Sequence, residues 1–115
     1  MAIKLESMGS DTLAIKDMAG LLTPQSTKEL VTLLTKNISI PIHVHSHATA
    51  GLASLNLIAA VEAGATIIDT CNSSFSEGAS HPTTESIIAA LQSMGYEINI
   101  DIAAIESISE HLREA

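Results

Sequence analysis

The sequence predicts an α/β fold built from repeated parallel βα units, and three observations carry that prediction. Short apolar runs centred on Leu13, Ile42 and Ile68 recur at intervals of 29 and 26 residues, with a helix-patterned stretch between each pair. A strand, a helical crossover and a second strand make a parallel pair. The runs are nearly all apolar, as in a sheet covered on both faces. Each also ends in a polar cluster: Lys16-Asp17, His45 to His47, and Asp69-Thr70. Three or four such units could form a small open sheet or half of an eight-stranded barrel. In either case ligands bind at the C-terminal ends of the strands.

Taken in order, Ala2 to Met8 has helical composition and stops at Gly9. Thr12 to Ile15 reads as the first strand. Thr23 then caps a helix with Pro24 at its first position, and Leu30, Val31 and Leu34 make its apolar stripe down to about Asn37. Ile38 to Pro41 leads into the second strand, which bears His43, His45 and His47. After a polar turn from Ser46 to Gly51, Gly51 to Glu62 is helical, with Leu52, Leu55 and Ala59 on one side and Gly64 closing it. Thr66 to Thr70 is the third strand, followed by a Ser-rich loop from Asn72 to Ser80 and by His81-Pro82. Thr83 or Thr84 caps a helix carrying Ile87, Ile88 and Leu91 that stops near Gly95. Glu97 to Ile100 is expected to form a short fourth strand. Asp101 caps a last helix with Ile102, Ile105, Ile108 and Leu112 on its inner side.

A chain of 115 residues is one domain or a piece of a larger one. Apolar residues make up 46%, enough to bury a core, so intrinsic disorder is excluded. Five basic against 13 acidic residues give a net charge of −8, a surface that repels nucleic acid and anionic lipid. Cys71 stands alone, which argues against a disulfide framework and fits a reducing compartment; it reads as a small, partly buried apolar residue. No run approaches the roughly 20 apolar residues of a membrane span, and the N-terminus lacks a secretory pattern. A cytoplasmic protein with no membrane insertion is expected.

The chemistry concentrates in Pro41-Ile42-His43-Val44-His45-Ser46-His47, which holds three of the five histidines at every second position. On a strand these three share one face. Same-face neighbours lie about 6.6–6.8 Å apart, so two imidazoles can converge on one ion but three from a straight strand cannot easily do so. His45 and His47, nearest the C-terminal end, are the candidate ligands, and His43 lies deeper in a structural role. An imidazole pair suits zinc or a similar divalent ion. Lys16, taken alone, reads as a surface lysine paired with Asp17.

The run Ile15-Lys16-Asp17-Met18-Ala19-Gly20-Leu21-Leu22-Thr23-Pro24 resembles a signature of the biotin-dependent carboxyltransferase family. That family includes the carboxyltransferase domain of pyruvate carboxylase, the oxaloacetate decarboxylase alpha subunit and a related transcarboxylase subunit. Pro41 to His47 looks like its second signature. Glu62-Ala63-Gly64-Ala65, Asp69-Thr70, Pro82-Thr83-Thr84-Glu85 and Ile98-Asn99-Ile100-Asp101 continue the similarity over essentially the whole chain. The resemblance implies a TIM (β/α)8 barrel, of which residues 1–115 are a partial carboxyltransferase barrel covering about strands five to eight. It implies that Lys16 is the catalytic lysine, carbamylated, and that it holds a divalent metal (zinc, manganese or cobalt) with His45 and His47. An Asp on the first strand of the barrel, outside this sequence, completes the family's site.

The implied chemistry moves a carboxyl group between oxaloacetate or pyruvate and biotin, with biotin on a separate domain or subunit, since no Met-Lys-Met attachment site is present. It also implies that activity needs the other half of the barrel. A proton-shuttling Thr of many members corresponds to Ala79 here, which makes its neighbours Ser80 and His81 candidate substrate-binding residues. His81-Pro82 leans toward the decarboxylase branch, and Ala48 stands where the family often has Asp. Two alternatives differ in class: a non-catalytic remnant that self-associates through open strand edges, and a stand-alone metal-binding half-barrel using His45, His47 and a replacement ligand.

Overall fold

The computed structural model describes residues 1–115. Three parallel strands, β1 (Leu13–Asp17), β2 (Ile42–Ser46) and β3 (Ile67–Ile68), lie side by side in that order. Five helices accompany them: α1 (Ala2–Ser7), α2 (Pro24–Asn37), α3 (Ala53–Ala63), α4 (Thr84–Ser93) and α5 (Ile102–Glu114). A single 3-10 turn, Ala48–Ala50, follows β2. α2 and α3 are the crossovers that make the strands parallel, as the spacing of the apolar runs predicts.

Local chemistry explains the element ends. The Thr23 hydroxyl accepts the Ser26 N–H at 3.2 Å while Ser26 Oγ accepts the Thr23 N–H at 2.9 Å, a reciprocal cap, and Pro24 opens α2. Asp101 caps α5 by accepting the Ala103 N–H at 3.0 Å. Gly64 ends α3 at φ +117°, and a Cβ there would lie 2.8 Å from Thr35 Cγ2. The missing side chain is what lets α3 close against α2.

β2 sets the layers. Ile42, Val44 and Ser46 are buried, whereas His43, His45 and His47 are half-buried on the opposite face. Ile42 and Val44 join Val31, Leu57, Ala60, Ile87 and Leu91 in one core beneath the helices. On β1 the same alternation leaves Ala14 and Lys16 exposed. The sheet is therefore covered on one face and open on the other, not covered on both as the apolar runs suggested.

Other sequence expectations change as well. β1 runs on through Lys16 and Asp17, which pair in register with His45 and Ser46. β3 is shorter than Thr66 to Thr70. Past it, the Cys71 N–H turns to Pro82 O and the Thr84 N–H to Cys71 O, both at 2.9 Å, so the chain leaves β2 for the segment before α4. Glu97 to Ile100 forms no strand. An apolar groove of about 620 Å³, lined by Ile67, Ile68, Ile87, Leu91, Ile98 and Ile100, runs along the free edge of β3 instead. Leu55 is 57% exposed, and the adjacent Asn56 is buried in its stead, donating to Leu22 O at 2.6 Å. Ile108 is 53% exposed, because the inward residue of α5 is Ser109, which meets polar groups of the Ser-rich loop and α4.

Leu57, fully buried, fills the space between α3 and the sheet. Leu57→Ala is expected to cost about 2–5 kcal/mol in urea unfolding. Glu6 ties α1 to the turn before β2: Oε1 accepts the Ser39 hydroxyl at 2.6 Å and the Ser39 and Ile40 N–H groups at 2.7 and 3.1 Å. The Ser39 hydroxyl, followed by the Ser39 N–H, holds this carboxyl below its ordinary value of 4.5. A lowered carboxyl stabilises the fold above its unfolded pKa and loses that contribution as pH falls through the folded value. Glu6→Gln should therefore flatten the acid limb of stability measured below pH 4.5.

Candidate metal centre

The C-terminal ends of the strands bring the polar clusters together, as parallel βα units require. Asp17 shapes the exit from β1: its carboxylate accepts the Leu21 and Leu22 N–H groups at 2.9 and 3.1 Å and lies 3.2 Å from Ser46 Oγ. Those bonds occupy Asp17 on the covered side of the sheet, and it makes no ion pair with Lys16. Lys16 sits on the open face, directly across the ladder from His45.

Each imidazole at this end of the sheet is held by one ring nitrogen. Asp69, just past β3, stands 2.7 Å from His45 Nδ1 through Oδ2 and 2.8 Å from His43 Nε2 through Oδ1. Burial pushes the Asp69 carboxyl up, but the hydrogen bonds from His45 and His43 outweigh it and hold the carboxyl below its ordinary value. His47 Nδ1 donates to Ala79 O at 2.8 Å. His81 Nδ1 donates to Ser46 O at 3.0 Å. With those nitrogens committed, His45 Nε2 and His47 Nε2 face each other at 3.3 Å. His81 packs against both rings, with centroids 4.4 Å from each.

The loop that brings His81 here is tightly folded. Glu77 adopts φ +66° and Gly78 φ +57°, a left-handed pair that is costly for a residue with a side chain. Glu77 is held there because its N–H donates to His81 O at 2.8 Å, and its carboxylate accepts the Thr83 N–H and hydroxyl at 3.1 and 3.0 Å. The Ala48 N–H donates to Ser80 O at 2.7 Å. Residues 79–81 thus clasp residues 46–48 by three bonds, two of them imidazole to carbonyl.

Of the residues singled out in the sequence, His45, His47 and His81 come together, with one ring nitrogen of each within 4.8 Å of the others. Lys16 lies beside them on the open face. Ser80 contributes its backbone, and Ala79 contributes a carbonyl that any side chain at that position would leave in place. What the sequence did not reveal is that His81 joins the imidazole pair and that Asp69 orients two rings at once. The one signal was His81's position in the loop after the third strand, since loops at that end of parallel units converge.

A family model described as HMGL-like matches residues 1–112. The chain belongs to the HMGL-like family. A pyruvate carboxylase subunit of Methanocaldococcus jannaschii is 47% identical over 111 residues, 96% of this chain and 20% of that protein. The 4-hydroxy-2-oxovalerate aldolase of Carboxydothermus hydrogenoformans is 36% identical over 107 residues, 93% of this chain and 32% of that protein. Among solved structures, the carboxyl transferase domain of Rhizobium etli pyruvate carboxylase with pyruvate and biocytin superposes with a TM-score of 0.89 at 40% identity. The match covers 94% of this chain and 18% of that one. The HMGL-like segment therefore spans about a fifth of the length of the carboxylase relatives it matches. Its three-stranded parallel sheet matches part of a TIM-barrel carboxyltransferase domain. No helix is long and apolar enough to cross a membrane.

Within this HMGL-like segment, Gly20 limits how the two signatures can approach. It is buried at φ +65°, and a Cβ would lie 2.6 Å from His47 O. That contact is with backbone, so the end of β2 would have to move. Gly20→Ala should destabilise the protein by more than about 1 kcal/mol. It should also shift the His47 imidazole resonances more than those of His111, measured by urea unfolding and NMR.

Proposed function

We propose that residues 1–115 are the metal-bearing part of a biotin-dependent carboxyltransferase barrel, moving a carboxyl group between oxaloacetate or pyruvate and biotin in the cytoplasm. The observation that carries this reading is the register of β1 and β2. It puts Lys16 and His45 side by side on the open face, with His47 one step further toward the C-terminal end.

The residues fit a divalent transition ion, whether zinc, manganese or cobalt. His45 and His47 each anchor Nδ1 on an acceptor and turn Nε2 toward a common point, the arrangement of metal-ligating histidines. Lys16 becomes a ligand on carbamylation: its ammonium takes up CO2, gives up two protons and ends as an anionic oxygen donor. A cation held there supplies positive charge where an enolate develops. The chain's own residues hold and orient. Asp69 fixes the His45 ring, Ala79 O fixes the His47 ring, and the clasp of residues 79–81 on 46–48 walls the site. The loop after β3, which carries Ser80 and His81, borders the same end of the sheet, which supports a role for it in meeting the substrate.

Biotin, on a separate carrier domain or subunit, supplies or accepts the carboxyl group. The free edges of β1 and β3 are where the remaining strands of a barrel, or a second copy of this chain, would pair. The decisive assay joins this segment to an Asp-bearing first half and follows oxaloacetate decarboxylation with a biotin carrier and Mn2+. Lys16→Ala and His45→Ala should each lower the rate at least about a hundredfold, beyond the loss typical of outer-sphere changes. A completed barrel without activity, or variants that keep it, would sink the assignment.

A further inference from the structure

We infer that His81 is a third metal ligand, so that His45, His47 and His81 form a tri-imidazole site for a divalent transition ion within this one chain. The inference rests on the metal site proposed above but not on carboxyl transfer. It replaces a ligand from outside the chain with one supplied by the loop after β3.

The tautomers make the case. His47 Nδ1 and His81 Nδ1 meet backbone carbonyls, which only accept, so both must carry the ring hydrogen there. His45 Nδ1 meets the Asp69 carboxylate, which is likewise an acceptor. With Nδ1 engaged on each ring, Nε2 is the nitrogen left for a ligand. His45 Nε2 and His47 Nε2 approach to 3.3 Å, so the two nitrogens converge on one point. A cation bound by both nitrogens fits that convergence.

The spacing agrees with that occupant. At a zinc–nitrogen distance of about 2.0–2.1 Å, two ligands of a tetrahedral ion are separated by about 3.3–3.4 Å. The His45–His47 separation of 3.3 Å is already that edge. The widest separation in the cluster is within 4.8 Å, so closing the remaining edges needs a shift of no more than about 1.5 Å. Each imidazole also has the outer support that metal-binding histidines use, from Asp69, Ala79 O and Ser46 O respectively. Three neutral imidazoles favour zinc or cobalt over magnesium or calcium, which prefer oxygen. A fourth position stays open toward the face that carries Lys16.

Co2+ titration of the full 115-residue chain, followed by visible absorption and calorimetry, provides the test. The wild-type protein is expected to bind one ion with the intense visible bands of a tetrahedral centre. His81→Gln, with an unchanged far-UV circular dichroism spectrum, should weaken binding at least about tenfold and diminish those bands. His81→Cys provides the readout that a merely structural role would not move. It should restore one-to-one binding and add a thiolate-to-cobalt charge-transfer band in the near ultraviolet. Wild-type binding by His81→Gln, or Co2+ binding by His81→Cys without the charge-transfer band, overturns the inference. His45→Ala separates the two failures. If it abolishes binding while His81→Gln does not, the third ligand alone is wrong; if neither variant changes binding, the metal site of the proposed function falls too.

Discussion

The period-two alternation of β2 is the constraint on which the rest of the structure depends. Ile42, Val44 and Ser46 go into the core, and His43, His45 and His47 go to the open face. A slip of one residue would drive three imidazoles among Val31, Leu57 and Ile87 and expose the apolar set, so the register is fixed by burial. Pairing then passes that certainty outward. β1 must set Lys16 opposite His45, and Asp69 must arrive beside His43 and His45. The geometry of the polar site is thus inherited from a hydrophobic choice made on its reverse side.

Much of this was legible in the chain because it is written in local signals. The Thr23-Pro24 start, the Asp101 cap and Gly64 act within a turn of themselves, and the folded chain keeps all three. The imidazole pair was legible for the same reason, since alternation on a strand is a local rule. Features governed by distant partners were not. Leu55 and Ile108 satisfy an apolar stripe on paper, yet Asn56 and Ser109 take the inner positions because Leu22 O and the Ser-rich loop offer polar partners there. Those partners lie more than thirty residues away in sequence. The stretch from Glu97 to Ile100 has strand composition, but it has only the edge of β3 to pair with, and β3 is cut short by Cys71 turning toward Pro82.

His81 illustrates the same limit at the site itself. Nothing near it in sequence marks a ligand, and its setting comes from residues 46–48 on another element. The family resemblance pointed to the loop for a different reason, the residue at position 79. In this chain the side chain at that position is a methyl group, while its carbonyl holds His47. A backbone role of this kind is invisible to any comparison of side chains, and it leaves Ala79 free to vary without disturbing the ring it orients.

The knot of Ser73, Ser109, Asn72 and Glu85 ties the Ser-rich loop to α4 and α5. The pairing of β1 with β2 and their cover by α2 and α3 involve only residues 13–63 and put His45 and His47 on one face, but the acceptors that orient the two rings, Asp69 and Ala79 O, lie beyond that stretch. His81 arrives on a loop pinned to α5 through contacts such as Ser109 to Asn72, 37 residues apart in sequence. The C-terminal helix therefore acts as a latch on the loop, and a segment remote from the metal site in sequence helps to hold its third imidazole in place.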